Sequence, residues 1–313
     1  MPFRISGGGK KTTALCGLAK WVASMTDWAV IYNPTSGHFR RERLDAAVAI
    51  WREQGIQTRL LPTESPGHAT TLARETSGVE RIVAHGGDGT LNEVANGLVG
   101  RPIPLAFLPG GTANAMAYEL GLPRRADRAA PLLPALKPVS MFPGVVNGRA
   151  FMLMAGFGFD ALAVYLVTGA VKSRLGALAY VANGLRALWW PKPEIRVVAK
   201  DGSELAGCWV VAARARRYGG MFHIHPRASL RSPNLGVVAV RKGMIAPFAL
   251  SNMAFGTGFE TKGMVLEEWS SFRVESDQPV HVHVDGDPLE KGTSFEVGLS
   301  DKPLLFCLPE SMI

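Results

Sequence analysis

Cysteine is scarce: the 313-residue chain has three, Cys16, Cys208 and Cys307. An odd number, far apart and without ligand spacing, supports neither a disulfide framework nor a zinc site, and it fits a reducing cytoplasm. Charge is modest, at 19% Asp, Glu, Lys and Arg against 47% hydrophobic residues, which excludes a disordered chain. Aromatics make up only 8%. None interleaves with the basic clusters around Arg40, Arg124 and Arg214 in the manner of a nucleic-acid stacking surface, so no nucleic-acid partner is expected. Internal repeats and low-complexity tracts are absent. The nearest approach to a membrane span is Phe151 to Ala170, but Asp160 sits at its middle and Gly156, Gly158 and Gly169 interrupt it. A central acid costs about 2.5–3.5 kcal/mol on insertion, so the stretch reads as a buried strand, a glycine turn and a helix start. The N-terminus has no continuous apolar core and makes a poor signal peptide. Its Gly7-Gly8-Gly9-Lys10-Lys11-Thr12 lacks P-loop spacing and a preceding strand, and residues 1–26 read as an extension outside the fold.

Glycine is plentiful, at 35 residues, and the most informative cluster is Ala84-His85-Gly86-Gly87-Asp88-Gly89-Thr90-Leu91-Asn92-Glu93. A short apolar run from Ile82 reads as a buried strand, and a helical pattern starts at Leu91. Strand, glycine turn and helix N-terminus is the geometry that offers backbone N–H groups and a positive dipole end to a phosphate. Gly86, Gly87 and Gly89 allow a tight turn and close approach of an anion. Asp88 does not favour a bare phosphate; it points to a metal-bridged one, or to a hydroxyl that must be oriented.

The same strand–loop–helix rhythm recurs along the first 140 residues. Trp28 to Tyr32 ends in Asn33-Pro34-Thr35-Ser36-Gly37, with a helix from about Phe39 to Gln54. Gln57 to Leu61 ends in Pro62-Thr63-Glu64-Ser65-Pro66-Gly67, with a helix to about Thr76. Pro104 to Leu108 ends in Pro109-Gly110-Gly111-Thr112-Ala113-Asn114, with a helix over Ala115 to Leu120. Strands alternating with helices predict a parallel, doubly wound α/β sheet, and ligands in such sheets collect at the carboxyl ends of the strands. After about Val139 the texture changes to short β-type runs: Met141 to Met154, Glu194 to Lys200, Gly207 to Ala213, Val237 to Val240, Ser271 to Glu275, Val280 to Val284 and Thr293 to Val297. One helical interlude spans Val171 to Trp190. This predicts an antiparallel, β-rich sandwich over residues 141–313 behind an α/β domain over 27–140, with the last residues able to return to the first domain. The formal charge of +8 suits an anionic partner such as a nucleotide or a membrane surface.

Asn33-Pro34-Thr35-Ser36-Gly37, Gly86 to Thr90 with Asn92-Glu93, and Leu108 to Asn114 resemble the three nucleotide-loop motifs of the diacylglycerol kinase catalytic family. That family includes bacterial soluble lipid kinases and the sphingosine and ceramide kinases, and it shares the nucleotide-binding fold of the NAD kinases. Gly156-Phe157-Gly158-Phe159-Asp160-Ala161, Tyr218-Gly219-Gly220-Met221-Phe222 and Asp285-Gly286-Asp287-Pro288 match further family motifs in order, and the resemblance spans about residues 28 to 308.

The resemblance implies an ATP- and Mg²⁺-dependent kinase acting on a hydroxyl of a diacylglycerol-like or sphingoid lipid. The implied ATP-binding set is Asn33, Pro34, Thr35, Ser36, Gly37, Thr63, Gly86, Gly87, Asp88, Gly89, Thr90, Leu91, Asn92, Glu93, Gly111, Thr112 and Asn114. Asp88 is implied to lie near the Mg²⁺-phosphate or the acceptor hydroxyl. Asp287 is implied as the proton acceptor, with Asp285 as a supporting acid. The resemblance further implies a cytoplasmic chain that meets lipid transiently at a membrane surface, and a homodimer, since members are often dimeric.

Two departures stand out. The family usually has Asp-Gly-Glu where this chain has Asp285-Gly286-Asp287, so the acceptor arm is one methylene shorter. In the turn Leu230-Arg231-Ser232-Pro233-Asn234-Leu235, Pro233 replaces a residue that in some members helps hold a structural metal, so that auxiliary site is expected to be lost or altered. Asp160 reads either as a carboxylate orienting the lipid head group or as a helix N-cap. His85 reads as a strand-end histidine with its hydrogen bonds met; His223 with His225 and His281 with His283 lack a third metal ligand. Lys172 and Arg174 could meet a lipid phosphate, and Trp189-Trp190 read as inter-domain packing. An NAD kinase or other soluble-substrate kinase, and a non-catalytic nucleotide- or lipid-binding regulator, are the rival readings.

Overall fold

A computed structural model describes residues 26–166, 193–218, 222–245 and 264–313. The N-terminal extension, the Val171–Trp190 interlude with Lys172, Arg174 and Trp189-Trp190, and Gly219-Gly220-Met221 lie outside the described residues.

The first layer is built from β1 (Thr26–Tyr32), α1 (Arg41–Glu53), β2 (Ile56–Pro62), α2 (His68–Glu75), β3 (Arg81–Gly86), α3 (Asp88–Leu98), β4 (Leu105–Pro109), α4 (Ala115–Glu119), α5 (Ala126–Ala129) and β5 (Lys137–Met141). Strands β1 to β4 are parallel, in the order β2-β1-β3-β4. Every residue of β3 and β4 is buried, which is why Ile82–Ala84 and Leu105–Leu108 read as unbroken apolar runs rather than alternating ones: helices cover both faces. One face packs Trp28, Val30, Leu44, Trp51, Val83 and Leu108 together. The other face packs Ile31, Ala84, Leu91, Leu98 and Phe107, and its apolar cluster continues without a break into Met152, Met154, Trp209 and Val211 of the second layer. That shared core joins the two sheets.

The sheet is not wholly parallel. The strand Leu304–Leu308 inserts beside β4, parallel to it, and β5 pairs antiparallel with this returning strand at the edge. The chain thus leaves the first layer at Met141, builds the second, and comes back to finish the first.

The second layer contains β6 (Gly144–Val146), β7 (Arg149–Phe151), β8 (Met154–Gly158), α6 (Phe159–Leu166), β9 (Ile195–Ala199), β10 (Glu204–Gly207), β11 (Trp209–Ala213), the short ribbon β12 (Arg217–Tyr218) and β13 (Phe222–His223), β14 (Leu235–Val240), β15 (Met264–Trp269), β16 (Ser271–Val284) and β17 (Asp287–Leu299). Its main path runs β15-β14-β11-β8-β16-β17-β6-β7, with β9 on β16 and β10 on β9. The two runs expected at Ser271–Glu275 and Val280–Val284 are one strand. Its register shifts between Glu275 and Val282, so the first half pairs with β9 and the last three residues with β8. Pro279, which cannot donate to a ladder, falls within that irregular stretch. The run expected at Thr293–Val297 is the end of β17. Strands β10 and β15 had no sequence expectation: Glu-Leu-Ala-Gly and a Glu267-Glu268 pair carry little β signal, and pairing with β9 and β14 decides them.

Candidate active site

The site grows from the turns at the ends of β1, β3 and β4. After β3, Gly86 and Gly87 lead into α3. After β4, Gly110 and Gly111 run directly against them: the Gly110 N–H donates to the Gly86 carbonyl at 2.7 Å. A Cβ on Gly111 would overlap the Gly87 Cα, and one on Gly86 would lie 2.5 Å from Thr90 Oγ1. The two glycine loops therefore touch backbone to backbone, and only glycine permits it. Asn114, at φ +52°, closes the second loop: its side chain donates to the Gly111 carbonyl at 2.8 Å and accepts the Gly111 N–H at 2.9 Å. The β1 loop joins them. His38 N–H donates to the Gly110 carbonyl, Asn33 Oδ1 accepts the Thr35 N–H and hydroxyl at 2.9 and 2.8 Å, and a Cβ on Gly37 would lie 2.5 Å from Thr112 Oγ1. The Thr63 N–H donates to the Tyr32 carbonyl, which ties the β2 loop to the same rim.

Within this rim several expected ligand residues are committed to holding it. Asp88 is partly exposed, and its carboxylate accepts the N–H groups of Ala115 and Met116 at 2.9 and 3.0 Å, joining the first turns of α3 and α4. Glu93 Oε2 accepts the Ala69 N–H, and its carbonyl accepts the Thr70 hydroxyl, which fixes the start of α2. Leu91 is a core residue. His85 is buried; one ring nitrogen meets the Leu108 carbonyl at 3.0 Å, burial lowers its basicity, and its other nitrogen has no hydrogen-bond partner among the described residues.

The second layer reaches this rim through a hairpin. Asp285 (φ +50°) and Gly286 (φ +86°) are both left-handed and join β16 to β17 as a two-residue turn, the geometry for which Asp-Gly is suited. Asp285 is an anchor: its carboxylate accepts the N–H groups of Met152, Leu153 and Met154 at 2.7, 2.8 and 2.9 Å and the Asn92 amide at 2.7 Å. Burial pushes this carboxyl up to about 6, against four donated hydrogen bonds that favour its ionised form. Asn92 also donates to the Ala150 carbonyl, and the Ala150 N–H donates to Asn96. Helix α3 is thereby pinned to the second sheet. The result is that both carboxylate oxygens of Asp287 lie 3.7 Å from where a Cβ on Gly89 would stand. The first turn of a helix leaves its N–H groups without intrahelical partners and carries positive partial charge. A carboxylate, two glycine loops and a helix N-terminus therefore converge across the two layers.

Asp160 is elsewhere than the head-group reading placed it. It is 2% exposed, in the first turn of α6; its carboxylate accepts the Ala161 N–H at 2.7 Å and meets His283 Nε2 at 3.0 Å. A side chain so enclosed does not line an open substrate wall. The spacing of His281 and His283 carries no sign of this pairing, because the partner lies 123 positions away. His281 stacks on Tyr165 at 4.7 Å.

The turn at Pro233 is held by an arginine. Arg214 is 1% exposed and directs its guanidinium to the carbonyls of Leu230, Ser232 (2.7 Å) and Asn234 (3.3 Å). Burial lowers its basicity to about 10, so it stays charged at neutral pH. A fixed organic cation thus occupies the convergent carbonyls of the turn where an auxiliary metal site was expected to be altered. Arg214→Met strands the buried Leu230 carbonyl together with the half-buried carbonyls of Ser232 and Asn234, and an unpaired buried group costs about 1–3 kcal/mol. Urea unfolding should show a loss of about 1–3 kcal/mol for this variant, while chelation leaves the wild-type midpoint unchanged.

Comparison with known proteins places this geometry. Residues 27–142 match the diacylglycerol kinase catalytic domain, and residues 154–297 match the YegS C-terminal NAD kinase beta sandwich-like domain. A diacylglycerol kinase of Bacillus subtilis (strain 168) is 29% identical over 273 residues, covering 82% of this chain and 88% of that protein. A "probable lipid kinase YegS" of Escherichia coli O127:H6 is 28% identical over 276 residues, 85% of this chain and 91% of that one. The fold superposes on the crystal structure of a diacylglycerol kinase from Bacillus anthracis str. Sterne with a TM-score of 0.72 at 20% identity, covering 93% of this chain and 99% of that one.

Proposed function

We propose that this chain, which matches the diacylglycerol kinase catalytic domain over residues 27–142 and is similar to proteins named diacylglycerol kinase and probable lipid kinase, is a lipid kinase that transfers the γ-phosphoryl group of ATP to a hydroxyl of a diacylglycerol-like lipid. The observation that carries this reading is the position of Asp287 against Gly89, at the mouth of the touching glycine loops. The loops and the first turn of α3 offer backbone N–H groups to the phosphates. Asp287 takes the proton of the lipid hydroxyl; the lipid oxygen bonds to the γ-phosphorus, the bond to the bridging oxygen breaks, and ADP leaves. Mg²⁺ carried with the nucleotide supplies charge neutralisation on the phosphates. Asp88 holds the α3 and α4 starts together at the loop that meets them. Asp285 and Asn92 set the distance between Asp287 and the helix, a matter of positioning in which a 1 Å error can cost about 100-fold in rate.

The lipid is met at a membrane surface. Among the described residues, no helix is long and apolar enough to cross a membrane. A net charge of +8 favours transient contact with an anionic leaflet on the cytoplasmic side.

Transfer from γ-labelled ATP to micellar diacylglycerol, monoacylglycerol, sphingosine and ceramide, with NAD as control, tests the reading. Labelled diacylglycerol-type product that requires Mg²⁺ is the expected result. Labelling of NAD alone would replace the lipid with a soluble acceptor. ATP binding with no transfer to any acceptor would favour a regulator.

A further inference from the structure

The Asp160–His283 pair sits outside the nucleotide rim, yet it connects to the turn that carries Asp287. His283 is 2% exposed and lies on the last stretch of β16, one residue before Val284. One ring nitrogen, Nε2, is 3.0 Å from Asp160 Oδ2. The other, Nδ1, is 3.2 Å from the Gly286 backbone nitrogen. That nitrogen bears hydrogen and can only donate, so Nδ1 must hold the lone pair and Nε2 the proton, which it gives to Asp160. The order of donation is fixed: Gly286 N–H to His283, His283 N–H to Asp160.

The space for this arrangement is built. Gly156 is the cross-strand partner of His283. A Cβ there would lie 2.5 Å from His283 Nε2 and overlap Asp160 Oδ2. Gly158, at φ +85°, then makes the left-handed step from β8 into α6. The Gly-Phe-Gly-Phe-Asp motif is thereby explained at both glycines: one clears the hydrogen bond and the other turns the chain so that Asp160 can make it.

We propose that Asp160 and His283 are positioning residues, which fix the Asp285-Gly286-Asp287 turn through the Gly286 N–H and so aim Asp287 at the first turn of α3. Asp285 holds the turn from the side of β7 and β8, and His283 holds it at the next peptide. With both in place the hairpin tip cannot rock, and an acceptor arm one methylene shorter than Glu stays within reach. The inference rests on the reading of Asp287 as the proton acceptor.

The test uses the full chain with three variants at position 283 and its neighbours. His283→Leu removes the acceptor for Gly286 at similar volume, and its kcat should fall about 10- to 100-fold with KM for ATP and lipid within about twofold. His283→Asn puts an amide oxygen where Nδ1 stands but cannot reach Asp160; kcat should recover to within about threefold of wild type, even though the thermal midpoint drops. Gly156→Ala should behave as His283→Leu does. Nitrogen-15 NMR of labelled histidine reads the link without any turnover: the protonated-Nε2 form is expected, with slow exchange of the Gly286 amide that becomes fast in His283→Leu. A proton on Nδ1, an unchanged kcat in His283→Leu, or no recovery in His283→Asn would each overturn the proposal. Asp287→Asn run in parallel separates the two readings. If it turns over normally, the proton-acceptor assignment fails; if it is dead while His283→Leu is fully active, only the present inference fails.

Discussion

Asp287→Asn is expected to lower kcat by between about 10²- and 10⁴-fold, the range for removal of a positioned general base. The amide is nearly isosteric and cannot take the proton, so the hairpin and the apolar core behind it should be undisturbed. Nucleotide binding should stay within about threefold of wild type, because the proposed function assigns the phosphates to backbone N–H groups of the glycine loops rather than to this side chain. Single-turnover transfer from labelled ATP, beside a nucleotide titration, separates the two effects. A variant that loses binding and turnover together would mean that Asp287 helps to organise the nucleotide. Asp287→Glu is the informative companion. It restores the family's usual side chain on a turn held by Asp285 and His283. Turnover at or above wild type would indicate that the turn sits where a Glu-bearing turn would. A lower rate would indicate that this turn has closed in to suit the shorter arm.

Gly111→Ala is the second large effect, and it strikes the other half of the site. The new methyl would overlap the Gly87 Cα and stand 3.0 Å from both the Gly87 nitrogen and Asn114 Oδ1. Two of these are backbone atoms, and the third, Asn114 Oδ1, is held by the hydrogen bonds of its amide to Gly111. Either the two loops part or the Asn114 clamp on Gly111 opens. Overpacking of this kind costs about 1–3 kcal/mol of stability. Parting the loops also dismantles the cradle, so nucleotide affinity should fall between about 10- and 100-fold, or about 1.4–2.8 kcal/mol. Calorimetric titration with ATP beside a thermal melt reads both. Gly121→Ala is a control at a glycine whose Cβ would meet nothing within 4 Å, although its φ of +66° carries a local strain of its own. It should lower stability without weakening nucleotide binding. If Gly111→Ala bound ATP as tightly as wild type, the backbone contact between the loops would have no part in the site.

Much of this was legible in the residues themselves. Buried parallel strands such as β3 and β4 are apolar through their centres, and the loops after them need glycine wherever one backbone meets another or an anion. Those requirements are local, so they leave a mark within a dozen residues: Ile82 to Gly89, Leu105 to Asn114. The Asp-Gly turn at 285–286 is equally local, because two consecutive left-handed residues favour those types. The role proposed for Asp287 rests instead on the family resemblance, not on any local constraint.

What the motifs did not carry was who holds whom. Asp88 reads as a metal or hydroxyl contact, and the folded chain spends its carboxylate on two amide groups at the start of α4. Asp160 reads as a head-group ligand or a cap, and it is enclosed against His283. Arg214 reads as one of a basic cluster, and it is buried with its guanidinium on three carbonyls. Each of these partnerships joins elements that become neighbours only when the chain folds, and no period or spacing along the chain encodes a contact across 123 residues. The sequence by itself determined the strand order's raw material, the glycine loops and the hairpin tip, because backbone geometry and burial constrain residue type locally. Only the tertiary structure decided which carboxylates are tied down, because that depends on the donors brought to each oxygen by distant strands.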